Sequence, residues 1–152
     1  MVSTPIYYKV CADLIKEVCE VFDYPEYIHL GLDEEDATNQ ASLAYCCVRQ
    51  GELWWHDAYF FFNVCEKVGA RPWIWADSCW NQPEEYVKRM PKSVLQSNWK
   101  YSPIRKSPDG KFESRGYQTY LLLEKAGFDQ VPTSSTWQCG YNSLETMKLS
   151  EE

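Results

Sequence analysis

Apolar positions at Tyr7, Cys11, Leu14, Val18 and Phe22 recur with helical period behind Thr4-Pro5, a capping residue followed by a proline suited to the first helical position. They predict a helix to about Asp23, followed by the short connector Tyr24-Pro25-Glu26. Tyr27 to Leu32 reads as a strand and Asp33 to about Asn39 as a polar loop, with a short helix over Gln40–Arg49. A second clear helix begins after Gly51, carries the aromatic block Trp54 to Phe62 and stops near Gly69. Pro72–Asp77 is a strand, Pro83–Met90 a short helix and Ser93–Trp99 a third strand. Lys100–Ser114, with two prolines and Asp109-Gly110, is a loop; Arg115–Ala126 is a helix closed by Gly127. Phe128–Thr136 is a fourth, weaker strand, interrupted by Pro132.

Helix and strand therefore alternate through four rounds with short joins, the pattern of a parallel sheet with helices outside. An open doubly wound sheet and part of a (β/α)8 barrel both fit. The barrel is favoured because Asp33-Glu34, Asp77 and Asn98-Trp99 all fall at the C-terminal ends of their strands, where barrel enzymes place their sites. A whole barrel takes about 250 residues. This chain has 152, so the expected fold class is α/β, a partial (β/α)8 TIM barrel of four β/α units forming one domain over 1–152.

Composition narrows the functions. A net charge of −7 argues against nucleic acid, whose binding rests on Lys and Arg contacts to phosphate. No apolar run is long enough to span a membrane, and Lys9, Asp13, Lys16 and Glu17 interrupt any signal-peptide core. The seven cysteines are scattered with no CxxC pair; Cys11, Cys19 and Cys65 fall on apolar helix faces. They read as reduced thiols of a cytoplasmic protein rather than as metal ligands. His29 and His56 form no metal pair, so neither metal nor cofactor is expected. Aromatic residues make up 16% of the chain; they can fill a core, or their faces can stack on the C–H faces of sugar rings.

Asp33 and Glu34 are the leading chemical candidates. Neighbouring strand residues face opposite ways, so both reach one cleft only if the strand ends at them, which the following polar run implies. His29, Gly31 and Asp33 would share one face, Gly31 leaving room beside it. The alternative is an acidic helix start set for the helix dipole. Trp73, Trp75 and Asp77 share a face of the next strand, with Asp77 at the rim to orient a hydroxyl or cap a loop. Asn98, Trp99 and Tyr101 end the third strand, and Trp137 follows the fourth. Each tryptophan alone suits a core, but Trp75, Trp80, Trp99 and Trp137 near one rim are harder to assign to packing.

The run His29-Leu30-Gly31-Leu32-Asp33-Glu34 resembles the catalytic strand of glycoside hydrolase family 20, the β-N-acetylhexosaminidases; Trp75-x-Asp77 and Trp99 match more loosely. The resemblance implies a (β/α)8 barrel of which this chain is the part from the third helix to about the seventh strand. It implies that Asp33 orients and polarises the substrate's 2-acetamido group, which itself attacks the anomeric carbon. Glu34 would protonate the glycosidic oxygen and then activate water, a departure from the two-carboxylate scheme. Trp75, Trp99 and Trp137 would wall the sugar pocket; Asp77, Asn98 and Tyr101 are further candidate sugar contacts from their positions, as is His29, for which a structural role within the strand is the alternative. Three features depart from the family pattern. Leu32 stands where a second glycine is common, 131–136 carries no Tyr-x-Asp, and the strands before the third helix, which in that family supply an arginine for the sugar's outer hydroxyls, are not matched in this sequence. The expected partner is a carbohydrate, with the missing barrel half or a second copy covering the open edges. Two other readings remain: a non-catalytic carbohydrate-binding or scaffold remnant, and a hydrolase of another family using Glu34 with a distant carboxylate such as Asp77.

Overall fold

The structure, a computed structural model, describes residues 2–35 and 49–151. The predicted helix at Gln40–Arg49 therefore lies, but for its last residue, outside the described residues. The chain divides into two compact units, Met1–Trp73 and Ile74–Glu152, the boundary falling within a strand.

In the first unit, α1 spans Pro5–Val21, and the Thr4 hydroxyl accepts the Tyr7 amide at 3.3 Å. Its C-terminus turns through Asp23 and Tyr24, both at positive φ. Cys19 is buried, whereas Leu14, Val18 and Phe22 are exposed together with Ile6, Val10 and Val21. The helical spacing thus formed the helix without marking which apolar stripe it buries.

β1 is Tyr27–His29, α2 is Glu52–Lys67 and β2 is Arg71–Trp75. β1 and β2 are parallel, with Tyr27 opposite Arg71 and His29 opposite Trp73. Cys19, Ile28, Cys65 and Ala70 form a buried cluster on which Ile15, Leu30 and Val68 pack. The aromatic block of α2 divides by helical periodicity, burying Trp54, Trp55, Phe61 and Phe62.

In the second unit, β2 runs into a 3-10 turn at Asp77–Trp80, followed by α3 (Pro83–Arg89) and β3 (Leu95–Ser97). The three strands form one sheet in the order β1-β2-β3, giving a mixed α/β fold with a parallel sheet. Residues 129–133 run parallel beside β3: the Val131 amide donates to Gln96 O at 2.8 Å and the Thr133 amide to Asn98 O at 2.9 Å. Pro132, lacking an N–H, falls between those two donors. The expected fourth strand is thus present as isolated bridges.

α4 is Arg115–Lys125, followed by Gly127 at φ 74°. A further helix, α5 (Asn142–Glu151), was not predicted. Its buried residues are Asn142 and Thr146, while Leu144 and Met147 are exposed, so no apolar period announces it. Phe112, Tyr117 and Tyr120 form the buried cluster here, with Ile104 and Leu149 against it. Asn142 Nδ2 donates to Lys100 O at 2.9 Å and to Tyr117 Oη at 3.0 Å. Among the described residues no helix is long and apolar enough to cross a membrane.

Candidate functional site

The first unit carries the acid pair. The last ladder bond of β1 runs from the Leu30 amide to Trp73 O at 2.8 Å. Beyond it Gly31 (φ 76°), Leu32 (φ 68°) and Glu34 (φ 53°) all lie in the left-handed region. For Leu32 and Glu34 this costs roughly 1–2 kcal/mol each through the clash of Cβ with the backbone. The expectation that strand alternation continues to Asp33 is therefore corrected: β1 ends at His29 and the backbone turns left-handed at Gly31, so His29, Gly31 and Asp33 do not share a strand face. The turn buries Leu32 and leaves Asp33 and Glu34 exposed.

His29 anchors this turn. Its Nδ1 accepts the Gly31 amide at 3.1 Å, which places the proton of the neutral ring on Nε2. The ring meets Trp73 edge-on, centroids 4.8 Å apart. Loss of water around the imidazole pushes its pKa down, and the Asp33 charge partly opposes that shift. Asp33 Oδ1 lies 3.7 Å from where a Cβ on Gly31 would stand, so this short segment folds back on itself.

A buried charge network backs the turn. Glu35 Oε1 accepts from Arg49 NH2, whose side chain is only 7% exposed. Arg49 NH1 reaches Asp57 Oδ2 at 3.3 Å. Asp57, on α2 and 1% exposed, also accepts from Ser3 Oγ at 2.6 Å and from Tyr8 Oη. The guanidinium lies over the Phe61 ring at 5.9 Å, and its pKa is raised by Glu35 against the opposing effect of burial. Sequence reasoning missed this network. The available signal was Asp57 itself, a single acid among Trp54, Ala58, Phe61 and Val64 on a buried helix face, where a charge demands a partner.

The second unit holds the remaining candidates. Trp75, at the end of β2, and Asp77, at the start of the 3-10 turn, are half-buried. Asn98 is fully buried, and both ends of its amide meet protein: Nδ2 donates to Gly116 O at 2.6 Å, and Oδ1 accepts from Trp80 Nε1 at 3.0 Å. It holds Trp80 and α4 in place. Trp80 and Trp99 meet at 4.7 Å between centroids, and Trp99 stacks on Tyr101 at 5.3 Å and 29°. These three half-buried rings make a continuous aromatic surface, with Lys100 Nζ 5.4 Å from the Trp80 centroid. Trp80 also lines a groove of about 670 Å³ with Cys79, Pro83, Arg115 and Gln118. Trp137 is 79% exposed and joins none of these contacts. Among the described residues no group of three or more His, Cys, Asp or Glu side chains is placed to hold a metal ion.

No protein-family model and no curated protein matches this chain.

Proposed function

We propose that this chain is the acid-pair part of a glycoside hydrolase resembling family 20, cleaving terminal N-acetylhexosamine with help from the substrate's own acetamido group. The observation that carries the reading is the turn at 31–34. It follows a parallel strand at its C-terminal end, has left-handed non-glycine backbone on both sides of Asp33, and exposes two adjacent carboxylates. Strained backbone of this kind gathers at functional sites because the surrounding structure must over-determine it.

In the proposed reaction Asp33 accepts the acetamido N–H and directs the carbonyl oxygen at the anomeric carbon. As that C–O bond forms, the glycosidic bond breaks, and Glu34 gives its proton to the departing oxygen. Glu34 then takes a proton from water, which opens the oxazolinium ring and restores the acid. His29 fixes the turn through its bond to Gly31. In the second unit, the Trp80–Trp99–Tyr101 surface is the part suited to stacking on a sugar, with Asn98 holding Trp80. The complete (β/α)8 barrel belongs to the same proposal. The exposed stripe Ile6, Val10, Leu14 and Val18 supports further protein covering α1, from the rest of a barrel or a second copy.

A second reading, non-catalytic carbohydrate binding, is favoured by the same aromatic surface, which needs neither acid to hold a sugar. A thiazoline mimic of the oxazolinium separates the two. The hydrolase reading expects it to bind far more tightly than N-acetylglucosamine and expects Asp33→Asn to abolish that preference. Equal binding of the two ligands would leave the non-catalytic reading in place.

A further inference from the structure

Leu32 and Glu34 sit in backbone conformations that L-residues avoid, and Glu34 is exposed. Glu35 is the next residue, and its Oε1 is held by Arg49, fourteen positions along the chain. Arg49 is not free to follow a moving turn. Its guanidinium is buried, lies over Phe61, and is tied through NH1 to Asp57 in the middle of α2. Asp57 is in turn gripped by Ser3 just before α1 and by Tyr8 within it. A chain of hydrogen bonds therefore runs from two helices through one guanidinium to the residue adjoining Glu34.

We infer that Arg49 is a positioning residue for Glu34: it clamps Glu35 and so holds the proposed acid in its left-handed backbone. The inference deepens the proposed function and rests on it for the role of Glu34. Arginine suits the task because its planar fork serves two carboxylates from different nitrogens at once. A lysine ammonium offers one compact charge and would have to share it. Removing the guanidinium leaves the buried Asp57 and the half-buried Glu35 without their shared cation, so Glu35 would leave its seat and release the turn.

The test uses three variants, Arg49→Met, Arg49→Lys and Glu35→Gln. Glu35→Gln is the gentlest because it leaves the Arg49–Asp57 pair intact. In a protein that turns over aryl N-acetyl-β-glucosaminides, kcat per folded molecule should fall about 10- to 100-fold in Arg49→Met. KM should change less than about threefold, and Arg49→Lys should recover part of the loss. A merely structural role would lower the melting temperature and leave kcat per folded molecule unchanged, which would overturn the inference. Amide order parameters give an answer that needs no activity. Asp33 and Glu34 should fall from the rigid range near ~0.85 toward below ~0.6 in Glu35→Gln, while β2 keeps its values. Unaltered order parameters in a folded variant would also overturn it. A wild-type protein without turnover sinks the hydrolase reading, and the order parameters still decide the clamp.

Discussion

The indole N–H of Trp80 donates to Oδ1 of Asn98 at 3.0 Å, tying the 3-10 turn after β2 to the residue just beyond β3. Asn98 Nδ2 holds Gly116 O at the start of α4. Asn98→Ala would leave a buried carbonyl and an indole without partners, costing about 2–4 kcal/mol. Urea unfolding checks the magnitude, and a red shift in tryptophan emission reports release of Trp80. A variant within 0.5 kcal/mol or so of the parent, the usual range for surface changes, would show that this bond does not hold the aromatic surface together.

The backbone at Leu32 makes a prediction with an inverted sign. At an ordinary site, Gly is less stable than Ala by roughly 0.5–1 kcal/mol because of its freedom when unfolded. At φ 68° the Cβ penalty opposes this. Both substitutions lose the buried leucine side chain, so comparing them with each other isolates the backbone. Leu32→Gly should match or exceed Leu32→Ala in stability. Alanine more stable by the ordinary margin would contradict the left-handed assignment.

Burial pushes the thiols of Cys65 and Cys79 up to about 12, with the nearby Glu66 and Cys19 adding to it for Cys65. At pH 8 such a group is a thiolate in roughly one molecule in ten thousand, and only the thiolate is nucleophilic. Iodoacetamide should label neither cysteine in the native protein and both after unfolding. Cys11, which is partly exposed, should label first among these three. Mass mapping of labelled peptides reads the order directly.

His29 ties stability to pH. Its pKa is lowered by desolvation, so the folded state prefers the neutral ring. The unfolded chain takes up a proton first as pH falls, near the ordinary histidine value of about 6.5. The stabilisation is thus complete above that value and is lost as pH drops from it to the lower folded-state pKa. Protonation also removes the Nδ1 acceptor from Gly31. The His29 C–H resonance should titrate below about 6.5, the ordinary value. The acid-side loss of stability should shrink in His29→Gln. A midpoint above the ordinary value would contradict the desolvated environment.

Much of the framework was legible because its signals are local. Thr4-Pro5 marked the start of α1, Gly127 the end of α4, and Pro83 the start of α3. Strand lengths were less legible. β1 stops at His29 rather than Leu32 because Leu32, an apolar residue that continues a strand pattern on paper, adopts a conformation usually given to glycine. The same position is where the resemblance led one to look for a second glycine. α5 was invisible because the residues it buries, Asn142 and Thr146, are polar and form no apolar stripe. Asp33 and Glu34 were found from sequence as an adjacent pair, but the residues that brace them were not. Arg49 meets Glu35 and Asp57 only through the fold, and Asp57 alone, misplaced among aromatic residues, hinted at it.

The most direct test of the central claim is turnover of 4-nitrophenyl N-acetyl-β-glucosaminide by the wild-type protein and by Glu34→Gln. The account predicts hydrolysis by the wild type and a loss of at least about 100-fold in kcat on removing the acid, with the variant still folded. Undiminished turnover in Glu34→Gln would contradict the assignment of Glu34 as the acid and with it the proposed mechanism.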